Sequence, residues 1–257
     1  MHPILFDFGL IQIRFYGVMY VVGIIAGTYL IRSEVKRKEI SLTNDDVANF
    51  IMWVAIAGII GARLYYVIFN WDYYAADMKE IPAIWHGGLA IHGGLIGGIL
   101  AALAYVKKKR VPFLKMADAA APALILAQAF GRVGNFMNGD AHGTPTDLPW
   151  GMVFPPESMA GIEFPGIPIH PVMLYEMFIN LSIFSFLWFV LRKKERKDGF
   201  IFAMYFLLYS GGRFFVEFFR ADSLMLGSLK AAQIMSLALM GAALVFIFKK
   251  SLWKQAG

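Results

Sequence analysis

The 257-residue chain is 58% hydrophobic and only 16% charged, where soluble domains carry about a quarter charged residues; composition excludes an ordinary soluble enzyme and points to an integral membrane protein. There is no cysteine, which excludes disulfides, thiolate metal sites and a cysteine nucleophile belonging to the protein itself. The net charge of +6 does not call for a nucleic-acid partner, because basic residues in a membrane protein first set orientation.

Residues 1–10 lack a basic start and a small-residue cleavage site, so the first hydrophobic segment is expected to be retained rather than removed as a signal peptide. Segments of about 20 apolar residues are the unit that crosses a bilayer. Seven are found, at 15–33, 47–69, 88–106, 117–135, 171–191, 200–218 and 231–248. They predict an all-α bundle of about seven transmembrane helices forming a single transmembrane domain over 1–257. No internal repeat is evident, which disfavours an inverted-repeat transporter. The one long connection, 136–170, holds six prolines and is read as a small extracytoplasmic cap of turns and short strands.

Basic residues alternate between the connections. Arg32, Lys36, Arg37 and Lys38 follow the first span, Lys107 to Arg110 and Lys115 the third, Arg192 to Lys194 with Arg196 and Lys197 the fifth, and Lys249, Lys250 and Lys254 the seventh. The intervening connections hold Lys79, no basic residue, and Arg220 with Lys230. The positive-inside rule then places the N-terminus outside and the C-terminus in the cytoplasm.

With that orientation, six spans bring polar side chains to one depth, the outer third of the bilayer: Tyr16, Arg63, His92, Arg132 with Asn135, His170 with Tyr175 and Glu176, and Tyr209 with Arg213 and Glu217. Such residues are costly in hydrocarbon and face a cavity or one another. Arg213 and Glu217, four apart, form either a same-face ion pair or a substrate contact. Arg220 either continues that face or snorkels, and Tyr65 and Tyr66 fit an aromatic belt. The pairs Gly87-Gly88 and Gly93-Gly94 suit close helix packing. A lone His92 suits a core histidine as well as a base. His86, His142 and His170 are not at metal-ligand spacing, so no metal or cofactor is expected. The convergence of Arg63, Arg132 and Arg213 asks for acids or an anionic ligand, and Glu176, Glu217 and Asp140 supply part of that.

The densest polar stretch is Gly131-Arg132-Val133-Gly134-Asn135-Phe136-Met137-Asn138-Gly139-Asp140-Ala141-His142-Gly143, at the end of a long apolar helix. It resembles the signature of the bacterial phosphatidylglycerol–prolipoprotein diacylglyceryl transferases. Phe15 to Tyr20, Gly61-Ala62-Arg63, His86 to Leu95, His170 to Glu176 and Gly212 to Arg220 resemble further motifs of that family, in order along nearly the whole chain. One departure is Asp140, where the family usually has Glu.

The resemblance implies transfer of the diacylglyceryl group of phosphatidylglycerol to the lipobox cysteine thiol of a prolipoprotein signal peptide. Glycerol phosphate is released at the outer side of the bacterial cytoplasmic (inner) membrane. It implies catalytic roles for Tyr16, His92, Arg132 and Arg213. Substrate contacts are expected from Arg63, Arg132, Asn135, Asn138, Asp140, Gly143, Tyr209 and Glu217. A transporter or binder of an anionic lipid is the alternative; against it, the inner halves of the spans are almost uniformly apolar.

Overall fold

A computed structural model describes residues 3–9, 12–227 and 229–255. The chain forms two compact units, one of Met1–Ile31 with Ala117–Gly257 and one of Arg32–Met116. Helices α1 (Phe15–Arg37) and α5 (Phe113–Asn138) begin in one unit and end in the other.

In the second unit, α2 (Asn44–Phe69) starts at a reciprocal cap. The Thr43 hydroxyl accepts the Asp46 N–H, and the Asp46 carboxylate accepts the Thr43 N–H, each at 3.1 Å, satisfying donors that the helix start leaves open. Helix α4 (Ile91–Lys108) packs along α2 through glycine. A Cβ on Gly93 would strike the Gly61 carbonyl, and one on Gly97 would strike the Ala57 carbonyl, so the two backbones touch, as small residues permit in membranes. Between them lie the short helix α3 (Trp71–Ala76) and single turns at Met78–Glu80 and Ile84–His86.

The first unit opens on a hairpin of β1 (Ile4–Asp7) and β2 (Gln12–Arg14) leading into α1. After α5 the head segment contains α6 (Met159–Glu163) and isolated bridges of Pro145 and Met152 to Ile169. Helix α7 (Val172–Ser185) continues through a wide turn at Phe186–Val190, and α8 (Phe200–Val216) returns beside it. A second hairpin, β3 (Met225–Leu226) with β4 (Leu229–Lys230), precedes α9 (Ala231–Lys249). The core joins Ala121 and Ile125 of α5 to Ile183 of α7, Leu187 and Leu191 beyond it, and Ile201 and Tyr205 of α8. Buried Asp118 of α5 caps α8 from outside it, accepting the N–H groups of Gly199 at 3.0 Å and Phe202 at 2.9 Å.

Among the described residues, six helical stretches are long and apolar enough to cross a membrane: Phe15–Arg37, Asn44–Phe69, Phe113–Asn138, Val172–Lys193, Phe200–Phe219 and Ala231–Lys249. Many of their large apolar side chains face outward, Ile25, Tyr29, Ile60, Phe178 and Phe248 among them, as a bilayer requires and water does not tolerate in such numbers. The chain is a helical membrane protein. The remaining expected span coincides with α4, whose 18 residues reach about 27 Å.

Candidate active site

Helix α5 ends where the sequence changes character. Gly139 takes a left-handed backbone (φ +71°), and its N–H returns to the Asn135 carbonyl at 2.8 Å, closing the helix as glycine does. Just before that stop, Gly134 meets the start of α1: a Cβ there would lie 2.7 Å from the Tyr16 ring. This close approach sets Tyr16 near enough to Arg132 and Asp140 to feel both charges. The Tyr16 hydroxyl accepts from that of Tyr20 at 3.2 Å.

Arg132 of α5 and Arg213 of α8 meet on one carboxylate. Glu176, on the second turn of α7, takes Arg132 Nε on Oε2 and Arg213 Nη1 on Oε1, both at 2.7 Å. Arg220 Nη1 adds to Oε1 at 2.9 Å. Arg213 Nη2 also pairs with Glu217 at 2.8 Å, and Arg220 Nη2 with Asp222 at 2.7 Å. Arg132 Nη1 donates to Asn135 Oδ1, whose Nδ2 donates to Asp140, each at 2.9 Å. Glu176 and Glu217 are buried, so each charge requires its partner.

With Asp140 and Asp222, four carboxylates stand against the three guanidiniums of Arg132, Arg213 and Arg220. Hydrogen-bond capacity is left over. Arg132 Nη2 and Arg213 Nε have no partner among the described residues, and the two side chains keep 23% and 18% of their exposure. A guanidinium edge held in place with N–H groups to spare suits a phosphate.

The head segment grips the chain just beyond α8. Gly143 bridges Arg220, the Thr144 N–H donates to the Phe219 carbonyl, and the Ala221 N–H to the His142 carbonyl. A Cβ on Gly143 would strike the His170 backbone, so glycine is required for this approach. Asn138 lines a shallow recess with Gly139 and Ser158. Tyr209 stacks on Tyr205 at 5.9 Å. Buried His142 pairs with Glu163 at 2.8 Å.

Two expected site residues belong to the second unit. His92, in the first turn of α4, is exposed, has no hydrogen-bond partner among the described residues, and lies 5.9 Å from the Tyr65 ring. Arg63, expected to contact substrate, binds the backbone of its own unit in the structure. Its Nε donates to the Ile81 carbonyl, Nη1 to those of Gly87 and Gly88, and Nη2 to those of Glu80 and Ala83. All five N–H donors of the guanidinium are engaged, and the group lies over the Tyr74 ring at 5.0 Å. The carbonyls of Ile81, Gly87 and Gly88 have no backbone donor among the described residues and take one from Arg63, while those of Glu80 and Ala83 also accept the Ala83 and His86 N–H groups.

The residues missed as site members are Glu176 and Arg220. Glu176 joins three arginines, and Arg220 is 8% exposed within the network rather than snorkelling outward. Sequence places Glu176 at the depth of the arginines and offers it as one of their acids; what it does not offer is one carboxylate shared by three guanidiniums.

Fold and site together define a helical membrane protein that holds a partly open arginine pair, braced by buried acids, next to an apolar bundle. The chain belongs to the prolipoprotein diacylglyceryl transferase family, whose family model matches residues 3–249. Among its relatives, the phosphatidylglycerol–prolipoprotein diacylglyceryl transferase of Clostridioides difficile is 47% identical over 227 residues, 88% of this chain and 86% of the relative. That of Acaryochloris marina is 41% identical, covering 97% of this chain and 93% of the relative. That of Fusobacterium nucleatum is 39% identical, covering 97% and 98%.

Proposed function

We propose that the chain transfers the diacylglyceryl group of phosphatidylglycerol to the lipobox cysteine thiol of a prolipoprotein signal peptide, the first step of lipoprotein maturation. The observation that carries this reading is the pair Arg132 and Arg213, joined through Glu176 and still holding N–H donors that no described residue takes. The whole chain works as a single catalytic domain in the bacterial inner membrane. It has seven spans with α4 as the third, its N-terminus outside, its C-terminus cytoplasmic and its site near the outer face.

The thiolate sulfur attacks the glyceryl carbon that bears the phosphate ester. That carbon–oxygen bond breaks, and the oxygen leaves with the electron pair as part of glycerol phosphate. Two things limit the rate: the supply of thiolate, since a thiol titrates near 8.5, and the charge on the departing phosphate. Arg132 and Arg213 stabilise that charge from preorganised positions. Asn135 and Asp140 hold Arg132, and Glu217 holds Arg213. Tyr16 and Tyr209 orient lipid and peptide, while Asn138 and Gly143 shape the wall. His92 takes the thiol proton, an imidazole with no competing partner among the described residues being suited to that task. The sulfur belongs to the substrate, so a chain without cysteine suffices.

The test is incubation of the purified protein in vesicles with labelled phosphatidylglycerol and a lipobox peptide. Label in a thioether on the peptide is expected. Label moved across the bilayer with none on the peptide would decide for a transporter. His92→Gln should lower the rate and flatten its rise between about pH 6 and 8; an unchanged pH profile would assign the proton to another group.

A further inference from the structure

One helical turn beyond the arginines, away from the head segment, the same three helices carry a second set of polar side chains. Gln128 precedes Arg132 by four residues on α5, Asn180 follows Glu176 by four on α7, and Ser210 precedes Arg213 by three on α8. Each therefore lies on the helix face that carries the network. Helices α7 and α8 touch at Ile179 and Gly212, where a Cβ on the glycine would lie 2.6 Å from Ile179 Cγ2; this sets Asn180 and Ser210 at one level. Gln128 Nε2 donates to the Tyr205 hydroxyl at 3.0 Å, tying α5 to α8 there.

Asn180 is 3% exposed and Ser210 1%, yet Asn180 Nδ2, Ser210 Oγ and Gln128 Oε1 are buried without hydrogen-bond partners. Buried polar groups are nearly always paired, and three unpaired ones in a single layer of apolar helices mark a place built for a ligand group. Turning over the Gln128 amide exchanges its oxygen and nitrogen without moving the side chain. The Tyr205 O–H then donates to the amide oxygen, and a Gln128 N–H joins the Asn180 N–H group and the Ser210 O–H as donors with no partner among the described residues.

We propose that Gln128, Asn180 and Ser210 form a subsite for the ester carbonyls of the diacylglycerol backbone. The inference rests on the reading of Arg132 and Arg213 as the phosphate site. In a glycerophospholipid the two ester carbonyls lie on the acyl side of the phosphate, as this layer lies one helical turn, about 5.4 Å, from the arginines. They accept hydrogen bonds and never donate, which complements unpartnered Asn180 and Ser210. The arginines recognise any phosphate; this layer recognises that two acyl esters follow it.

The experiment compares transfer to the lipobox peptide from diester phosphatidylglycerol and from its dialkyl ether analogue, which lacks both carbonyls. Wild-type protein should prefer the diester by roughly tenfold in kcat/KM, the worth of one to two net hydrogen bonds. Asn180→Leu and Ser210→Ala should each cut that preference to about threefold, the loss falling on the diester. Inhibition by glycerol phosphate, which probes the arginines alone, should not change. Thermal unfolding should not move downward, because neither side chain gives up a partner in the free protein. Equal use of the two lipids by wild type, or variants that slow both in parallel, would overturn the subsite and leave a water-filled or purely structural layer. No transfer from the diester by wild type would overturn the phosphate site itself.

Discussion

Neutralising Glu176 would leave Arg132, Arg213 and Arg220 with Glu217 as the one buried carboxylate of the network among the described residues. Breaking a buried pair from one side costs about 3–5 kcal/mol, because the abandoned charges stay desolvated. Glu176→Gln should therefore lower the unfolding temperature in detergent and reduce transfer more than its partial loss of fold explains; full activity would show that the arginines hold their places without it. His170 offers a milder handle. Burial holds its imidazole below the ordinary value of 6.5, and its Nδ1 lies 3.2 Å from the Tyr175 hydroxyl, which accepts the Trp150 N–H at 2.8 Å. The unfolded chain takes up this proton before the folded one does, so stability is complete above about pH 6.5 and falls as pH drops below it. Amide protection in 144–175, taken relative to intrinsic exchange at each pH, should fall on acidification, and His170→Gln should remove that slope. Of the network, Arg213 with Glu217 was legible from a spacing of four. Glu176, 37 positions before Arg213, was legible as an acid at the same depth but not as the carboxylate the arginines share, since no spacing rule tells which helices will face each other. Nor was the caging of Arg63, because it depends on five carbonyls of a turn without periodicity.

At the scale of elements, hydropathy locates helices well because the bilayer imposes one length and one polarity on every span. The predicted span at 117–135 is the helix Phe113–Asn138, and that at 231–248 is Ala231–Lys249. The head was harder to read. Its order comes from single bridges, such as Gly143 to Arg220 and Met152 to Ile169, between partners far apart in sequence. Sequence treats Gly93 and Gly94 alike as packing residues, and the structure separates them by function. Gly93 faces the Gly61 backbone directly, whereas a Cβ on Gly94 would meet its nearest neighbour, the Gly58 carbonyl, at an ordinary 3.5 Å. Gly93→Val should destabilise by at least the 1–3 kcal/mol typical of overpacking, visible as a lower unfolding temperature and faster proteolysis within 70–90. Gly94→Ala should be silent. Equal effects of the two would mean that α2 and α4 do not pack on this seam.

For the whole molecule the decisive quantity is how many times the chain crosses, because each crossing reverses the side on which everything after it lies. Helix α4 is the pivot, being the span expected from sequence that is not among the six long apolar helices. If it crosses, Asp77 and Asp147 lie outside and Lys108 in the cytoplasm, and the basic residues after α1, α4, the wide turn of α7 and α9 all share the inner side. If it does not, Lys108 stays with Asp77, and α5 carries Arg132 and the head to the cytoplasmic side. That would leave the run Lys107–Arg110 outside against the charge rule, and would set the arginine layer where an exported peptide's thiol does not arrive. The chain has no cysteine of its own, so single substitutions report cleanly. Asp77→Cys and Asp147→Cys should react in intact cells with a membrane-impermeant maleimide, and Lys108→Cys only after permeabilisation. Labelling of Lys108→Cys in intact cells, with Asp147→Cys protected, would reverse the site's orientation and remove the transferase mechanism with it.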